Sequence, residues 1–298
     1  MAIKTWLKFV EVQSLVASVL PLVLGNLYAV ITYREFNVGY AILFAIVVFS
    51  LQMVANVWNN IQDFKLATSD EWKNGVNNIV GNGGISQRQS WLTLGVLILI
   101  AAVGGLWLAF QTGWPLFIMG IIGFIVTYWY AGTPLPLSRT PFAELASGLT
   151  MGYLIFLSAT YINIAPTFNS ELVIHAIIAS AIAWFAIGDI MLANNIGDYE
   201  EDVAEGRHTL VWHLGKPRAI KAFGWIYIAG YVMLIIAVLF GILPWLALVA
   251  LLSLPIVMKN VHAFQANPIK PNFPFAIKNA VVISITLAIG LVLALLFN

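Results

Sequence analysis

Residues 181–202, AIAWFAIGDIMLANNIGDYEED, decide the fold, because an apolar stretch ends there in a polar segment rich in acids. That segment begins with NNIGD at Asn194–Asp198, and the same pattern occurs earlier as NNIQD at Asn59–Asp63, again where an apolar stretch ends. The 298 residues include only 13 acids, so each cluster concentrates a scarce charge. Clustered carboxylates at a membrane surface indicate bound cations, and bound cations indicate a phosphorylated substrate.

The composition identifies a membrane protein. Hydrophobic residues make up 61% of the chain and charged residues 9%, whereas a soluble globule carries roughly 25% charged residues. We predict an all-α, polytopic protein with about nine transmembrane helices, each near the ~20 residues that cross the hydrocarbon. The predicted spans are 10–33, 38–60, 91–110, 114–131, 142–161, 172–196, 221–241, 243–258 and 276–297. They form a single domain over 1–298, with two pseudo-repeats at roughly 1–135 and 136–298.

The cations predict the orientation. If nine spans alternate, every Lys and Arg except Arg34 lies in segments on one side. By the positive-inside rule, that side is the cytoplasm, which places the N-terminus inside and the C-terminus outside the cell membrane. Both NNIxD motifs, and hence the active site, are then expected at the cytoplasmic face. The lipid bilayer is the expected surrounding, and no nucleic-acid patch is present.

The second motif has the spacing of a metal site. Asn194, Asp198 and Asp202 are four residues apart, so they form one stripe on a helix. Two carboxylates and an amide oxygen can hold Mg²⁺, whose remaining positions go to water and phosphate oxygens. Gly206 suits a helix end, and Arg207 can then reach a phosphate. The alternative is a solvated helix end, but the helix dipole disfavours anions there unless a cation is present.

The first motif is weaker alone. Asn59 and Asp63 are four residues apart, and Asp70 follows about two turns later if the helix continues. Lys65 can contact phosphate. This segment alone fits a solvated loop equally well, but repetition of the pattern favours a function. Two acidic helix ends facing each other would hold a diphosphate bridged by Mg²⁺, and a hydrocarbon tail on that diphosphate explains the membrane setting.

Three segments resemble one known family. NNIGDYEEDVAEGRHTL (194–210) and ANVWNNIQDFKLATSD (55–70) are similar to the second and first Asp-rich motifs of the UbiA-type intramembrane aromatic prenyltransferases. YWYAGTPLPLSRTPFAELASG (128–148) most resembles the branch that prenylates 1,4-dihydroxy-2-naphthoate in menaquinone synthesis. The chain departs from the pattern at Ala67, where many members carry a third acid, and at Glu11, where many carry Arg.

The resemblance implies a reaction and a set of roles. Mg²⁺ is expected on the acids and amides of both motifs: Asp63, Asp70, Asp198, Asp202, Asn59 and Asn194. Catalysis is expected from Asp63, Asp198, Asp202 and Lys65. The polyprenyl diphosphate is expected to contact Lys65, Arg139 and Arg207. Its allylic cation is then stabilised by Trp58, Tyr128 and Tyr130 through cation–π attraction. The acceptor is expected to be dihydroxynaphthoate, which loses its carboxylate to give demethylmenaquinone. Interfacial anchoring is the alternative role for these aromatics and for Arg139.

Several alternatives stay open. Asp189, inside the sixth span, and Glu144, at the start of the fifth, are either functional or part of helix packing. The acceptor could instead be 4-hydroxybenzoate. A CDP-alcohol phosphotransferase fits less well, because its Gly and Arg spacing is absent. A transporter would place its polar groups at mid-membrane rather than at helix ends. The Pro-rich loop over 261–275 lies on the same side as the motifs.

Overall fold

The computed structural model describes residues 3–66, 79–81 and 84–297. Within that part of the chain the regular structure is helical, apart from an isolated bridge between Val80 and Ile85. The α-helices are α1 (Ile3–Phe9), α2 (Val16–Tyr33), α3 (Val38–Leu66), α4 (Gln87–Thr112), α5 (Trp114–Ala131), α6 (Ala143–Ser147), α7 (Ile155–Ile164), α8 (Ser170–Ala179), α9 (Ala181–Gly197), α10 (Tyr199–Ala204), α11 (Leu210–Leu214), α12 (Lys216–Leu239), α13 (Leu254–Ala266) and α14 (Pro274–Phe297). A π-helix spans Gly148–Leu154, and 3-10 helices span Val12–Leu15, Leu137–Arg139, Trp245–Ser253 and Lys270–Asn272.

The membrane spans confirm the prediction of about nine. Among the described residues, 8 helices are long and apolar enough to cross a membrane, and a bent pair, α8 and α9, brings the count to 9. Many large apolar side chains on these helices are exposed, such as Phe110 at 87%. Side chains of this kind belong in lipid, so the chain is an integral, multi-pass membrane protein.

The sixth span is broken, whereas the sequence predicts one continuous helix. Ser170–Ala179 and Ala181–Gly197 meet at an angle of 57°. At the break, the Ser180 hydroxyl donates to the Ala176 carbonyl at 2.7 Å, beside the backbone bond to the same carbonyl at 3.0 Å. A serine that bonds back to the preceding turn in this way bends a helix.

Several span boundaries also differ from prediction, and a local cause is visible for two of them. The third span begins at Gln87 rather than 91, because Ser86 and Gln89 form a reciprocal capping box. The eighth span continues to Ala266, well past the predicted end at 258. There Pro255 occupies the first turn of α13, where a missing N–H costs nothing, so it starts a helix rather than ending one.

The chain forms two compact units. The first comprises Met1–Val16 and Ile42–Leu137. Its core lies where α1, the second half of α3 and the start of α4 pack together, and it is formed by Phe9, Val10, Val54, Val57, Ile61, Val80, Ile85, Leu94 and Leu97. This core fixes the last turns of α3, which carry the first motif.

The second unit comprises Ala17–Ala41 and Ser138–Asn298. Gly25 permits α2 to approach α7 closely, since a Cβ there would lie 2.5 Å from the Phe156 carbonyl oxygen. The Thr160 hydroxyl donates to the Gly25 carbonyl at 3.1 Å. Gly152, in the π-helix, packs directly on the backbone of Trp184 in α9. These close contacts fix α9, which carries the second motif. The predicted pseudo-repeats concern internal symmetry and stay a prediction.

Candidate active site

The second motif lies where α9 ends and α10 begins. α9 ends at Gly197, and Asp198 joins the helices with φ −97° and ψ 7°. The Asp198 amide donates to the Asn194 carbonyl at 2.9 Å, and the Asp202 amide donates to the Asp198 carbonyl at 2.8 Å. These bonds keep the three positions one turn apart, which is the spacing that the predicted stripe requires.

Asp202 is a desolvated acid, with a side chain only 7% exposed. Its Oδ1 lies 3.4 Å from Arg207 Nη1, and Gly206, at φ +66°, makes the turn that returns Arg207 to it. Its Oδ2 is buried and has no hydrogen-bond partner in the described part of the chain. Burial raises the pKa of Asp202 to about 6, against the opposing charge of Arg207. The charge of Arg207 therefore compensates only part of the desolvation of Asp202.

Asp198 faces a cation that the sequence analysis missed. Its Oδ1 is buried and lies 2.8 Å from Nζ of Lys270, which also lies 3.9 Å from Glu201 Oε2. This contact is an ion pair without hydrogen-bond geometry. Lys270 comes from the predicted Pro-rich loop, and its own position gave no sign of its partner. One sequence feature could have indicated this contact, namely the difference between NNIQD and NNIGD. It places a glycine at position 197, where the backbone of the loop packs against α9.

Another acid of the motif is a surface residue. The Lys216 ammonium donates to Glu200 Oε1 at 2.7 Å, and the Glu200 side chain is 71% exposed. The hydrogen bond from Lys216 lowers the pKa of Glu200. Such exposed pairs contribute little to stability, so Glu200 differs in its surroundings from the half-buried Asp198 and the buried Asp202.

Arg139 is brought to the second motif by its backbone. The His208 amide donates to the Arg139 carbonyl at 3.1 Å, so the 3-10 turn Leu137–Arg139 lies against the segment that follows α10. The Arg139 side chain is half-buried. Arg139 and Arg207 therefore both lie next to the acidic segment of the second motif. This placement is what a shared role in binding phosphate requires.

The first motif occupies the last turns of α3. The Asn59 amide donates to Asp63 Oδ2 at 3.0 Å, one turn apart on the same face. Lys65 directs its ammonium over the ring of Trp91, 4.7 Å from the centroid. Both motif side chains, Asn59 and Asp63, are half-buried and Lys65 is exposed. Asp70, the remaining predicted metal ligand, lies outside the described residues.

Glu11 adds a further acid to this region. It adopts a left-handed backbone conformation, with φ 52°. The Asn60 amide lies 3.4 Å from Glu11 Oε1 and donates to the Asn56 carbonyl at 2.9 Å. Burial raises the pKa of Glu11, the Asn60 hydrogen bond lowers it, and the nearby charge of Asp63 raises it again. An acid therefore stands close to the first motif where many relatives were expected to have Arg.

Two of the predicted aromatic residues, Trp58 and Tyr128, form a cluster with Trp91 in the first unit. The Trp58 indole N–H donates to the Tyr128 carbonyl at 2.9 Å, and the two rings stack with centroids 5.5 Å apart. Trp91 meets Trp58 edge-on at 6.1 Å. Tyr130 is half-buried in the last turn of α5. Lys65 lies over Trp91, so one aromatic face of this cluster already contacts a cation.

The two acids left open by the sequence lie inside the second unit. Glu144, in α6, accepts a 2.8 Å hydrogen bond from the Asn195 amide, and both side chains are buried. Asp189 is fully buried, and neither of its oxygens has a hydrogen-bond partner among the described residues. Glu144 therefore packs against the second motif, one position from Asn194.

These donors fit a magnesium ion only in part. Asp198 and Asp202 supply hard carboxylate oxygens, and the buried Asp202 Oδ2, which has no hydrogen-bond partner in the described ranges, could bind a cation. In residues 3–66, 79–81 and 84–297, no three His, Cys, Asp or Glu side chains form a group that could hold a metal. Mg²⁺ commonly uses one or two carboxylates and completes its shell with water and substrate phosphates. The donor set suits such a site rather than a closed protein cage.

The comparisons with known proteins agree with the motifs. A model of the UbiA prenyltransferase family matches residues 18–275. The 1,4-dihydroxy-2-naphthoate octaprenyltransferase of Bacillus subtilis (strain 168) is 29% identical over an alignment of 275 residues, which covers 90% of this chain and 84% of that protein.

Solved structures share the fold. A UbiA homologue from Archaeoglobus fulgidus, bound to GPP and Mg²⁺, matches with a TM-score of 0.66 at 14% identity, over 97% of this chain and 99% of that one. A UbiA homologue from Aeropyrum pernix K1 matches with a TM-score of 0.67 at 17% identity, over 91% and 97% of the two chains. The resemblance inferred from the sequence is thus confirmed, and the chain belongs to the UbiA prenyltransferase family.

Proposed function

We propose that this protein transfers a polyprenyl group from polyprenyl diphosphate to 1,4-dihydroxy-2-naphthoate. The supporting observation is the second motif, where Asp202 is buried beside Arg207 with one oxygen unpartnered in the described part of the chain. The relative from Bacillus subtilis bears the name of this activity and is similar over most of both chains. The Archaeoglobus homologue bound to GPP and Mg²⁺ supports a prenyl diphosphate and magnesium as ligands.

The proposed site joins the two motifs. Asp63 with Asn59, and Asp198 and Asp202 with Asn194, would hold Mg²⁺, and Asp70 is a further proposed ligand. When bound, the metal neutralises the diphosphate as negative charge develops on this leaving group. Arg207, which flanks the buried Asp202, and Arg139, whose backbone meets the same segment, would bind the phosphate oxygens as multidentate donors. Lys65 would contribute from the first motif.

The reaction is an aromatic substitution. The bond between the prenyl carbon and the diphosphate oxygen breaks, and the leaving group keeps the electron pair. The acceptor carbon that carries the carboxylate then bonds to the allylic cation. Loss of CO₂ returns an electron pair to the ring, so the first product is the hydroquinone form of demethylmenaquinone. The Trp58–Tyr128 stack and Tyr130 would shield the cation, each face supplying about 0.5–2 kcal/mol. The hydrocarbon surroundings exclude water.

The test is turnover by the purified protein. It is supplied with Mg²⁺, an octaprenyl or geranyl diphosphate, and either dihydroxynaphthoate or 4-hydroxybenzoate, and the products are identified by mass spectrometry. We expect a prenylated, decarboxylated product from dihydroxynaphthoate. Asp198→Ala should abolish it, whereas the exposed Glu35→Ala should retain it. A product from 4-hydroxybenzoate alone would refute the acceptor, and full activity of Asp198→Ala would refute the metal site.

We further propose that the motifs face the cytoplasm, with the N-terminus inside. The chain has no cysteine, so single cysteines can report orientation. A membrane-impermeant maleimide applied to sealed right-side-out vesicles should label Glu35→Cys and spare Asn267→Cys, which is exposed in the loop between α13 and α14. The reverse labelling pattern would refute this orientation.

A further inference from the structure

The segment between α13 and α14 is an ordered turn. Its 3-10 helix, Lys270–Asn272, is closed by the Asn272 amide donating to the Ile269 carbonyl at 2.9 Å. The Asn272 side chain also donates to the Asn267 carbonyl at 2.8 Å. Prolines at 268 and 271 restrict the backbone further. The turn therefore presents Lys270 from a fixed position, which a loose loop would not do.

Gly197 is what lets this turn reach the second motif. A Cβ at 197 would lie 3.0 Å from both N and Cα of Lys270, and 3.4 Å from the Ile269 carbonyl carbon. Contacts at 3.0 Å with backbone atoms leave no flexible group to move aside. The first motif has Gln62 at the equivalent position. The one difference between NNIQD and NNIGD thus corresponds to a backbone that packs on the second copy.

The fixed turn places a positive charge on a proposed metal ligand. Lys270 Nζ lies 2.8 Å from Asp198 Oδ1, and the Asp198 side chain is only 15% exposed. Lys216 makes an equally short contact, 2.7 Å, with Glu200, but that carboxylate is 71% exposed. Solvent already stabilises Glu200, whereas Asp198 depends on a nearby cation for compensation.

We propose that Lys270 is an internal counter-cation, which occupies the position of a divalent ion at Asp198 in the metal-free protein and must be displaced when metal binds. The proposal rests on the metal site of the proposed function. Lys270 and the divalent ion then compete for Asp198. The apparent metal affinity is reduced in proportion to the fraction of molecules in which Lys270 already pairs with this carboxylate. In the metal-free protein, Lys270 compensates the negative charge of Asp198 at the end of α9.

The test is Mn²⁺ binding by the purified, substrate-free protein, followed by electron paramagnetic resonance. Lys270→Ala should bind Mn²⁺ about two- to fivefold more tightly, which is the upper part of the range expected for losing a partly exposed ion pair. Lys216→Ala, which removes the neighbouring ion pair, should leave the affinity unchanged. Unchanged or weaker binding by Lys270→Ala would overturn the proposal, as would the absence of Mn²⁺ binding by every protein tested.

A second variant reaches the same pair through the backbone. Gly197→Ala should push the turn away from Asp198 and tighten Mn²⁺ binding in the same direction, whereas Gly120→Ala, which meets open space, should not. A melting experiment guards against simple misfolding. In the presence of a chelator, the Lys270→Ala protein should melt at a lower temperature than the unchanged protein. Adding Mn²⁺ should raise its melting temperature more than that of the unchanged protein, and an equal rise would contradict displacement of Lys270 by the metal.

Because these titrations use no prenyl donor or acceptor, the proposal and the proposed function can fail separately. If Lys270→Ala binds Mn²⁺ more tightly but the unchanged protein transfers no prenyl group, the proposed function is refuted and the role of Lys270 as counter-cation is supported. Prenyl transfer with unaltered Mn²⁺ affinity in Lys270→Ala would do the opposite.

Discussion

Replacement of Asp202 by asparagine should stabilise the metal-free protein at neutral pH. Asparagine has nearly the shape of the carboxyl group and stays neutral. The side chain is 7% exposed, so an ionised Asp202 is poorly solvated, and the guanidinium of Arg207 at 3.4 Å compensates only part of that cost. The net upward direction of the pKa means that desolvation outweighs the ion pair.

The magnitude follows from proton linkage. An aspartate has an ordinary pKa of 3.8, and Asp202 has a pKa of about 6 in the folded protein. The folded state therefore binds the proton more tightly, and stability that is complete below pH ~4 is lost as the pH rises through about 6. At about 1.4 kcal/mol per tenfold in proton affinity, the loss reaches at most ~3 kcal/mol. Asp202→Asn should recover between about 1 and 3 kcal/mol of it.

The assay is thermal unfolding of the detergent-solubilised protein in the presence of a chelator, at a fixed scan rate, from pH 4 to pH 8. The two proteins should melt alike at pH 4, and Asp202→Asn should melt higher at pH 8. Added Mg²⁺ should raise the melting temperature of the unchanged protein far more than that of the variant. If Asp202→Asn melts lower than the unchanged protein at pH 8, attraction to Arg207 exceeds desolvation and the reasoning is wrong.

Two further predictions concern the helices that carry the second motif. Asn195→Ala should lower the apparent stability by about 1–3 kcal/mol, because it leaves the buried Glu144 carboxylate without its donor. Adding Glu144→Gln should recover part of that loss in denaturant titrations, and no recovery would show that the pair does not interact. Gly25→Ala should destabilise by about 1–3 kcal/mol or more, since its Cβ would meet the Phe156 carbonyl oxygen at 2.5 Å. Gly120→Ala should instead be neutral or slightly stabilising, and equal melting temperatures for the two alanine variants would contradict the packing at Gly25.

The number of membrane spans could be predicted because it depends on local composition. A helix that crosses the bilayer needs a long apolar run, and each run is visible in the sequence. The bend at Ser180 was not predicted, because it depends on which acceptor the serine hydroxyl bonds. In the structure that acceptor is the Ala176 carbonyl. The π-helix was missed for a similar reason, because it follows the fit of Gly148 and Gly152 against Trp184.

The motif geometry was predicted from spacing, and its surroundings were not. Positions 194, 198 and 202 keep one-turn spacing because their backbone bonds are local. Lys270 pairs with Asp198 across a long stretch of chain, so the pairing depends on how the helices pack. Lys65 lies over Trp91, a partner that no spacing rule could indicate, and its expected contact with phosphate stays a prediction. The ligand role of Asp70 stays a prediction.

The proposed function requires that the two Asp-rich motifs share divalent ions with one prenyl diphosphate. Its most direct test is Mn²⁺ binding in the presence of geranyl diphosphate by Asp63→Ala, Asp198→Ala and the double variant. Loss of a direct ligand should weaken binding at least as much as loss of an outer partner, about tenfold or more. If one site is shared, the double variant should lose little beyond either single variant. Two independent losses that multiply in the double variant would mean that each motif binds its own metal, and would contradict a shared site.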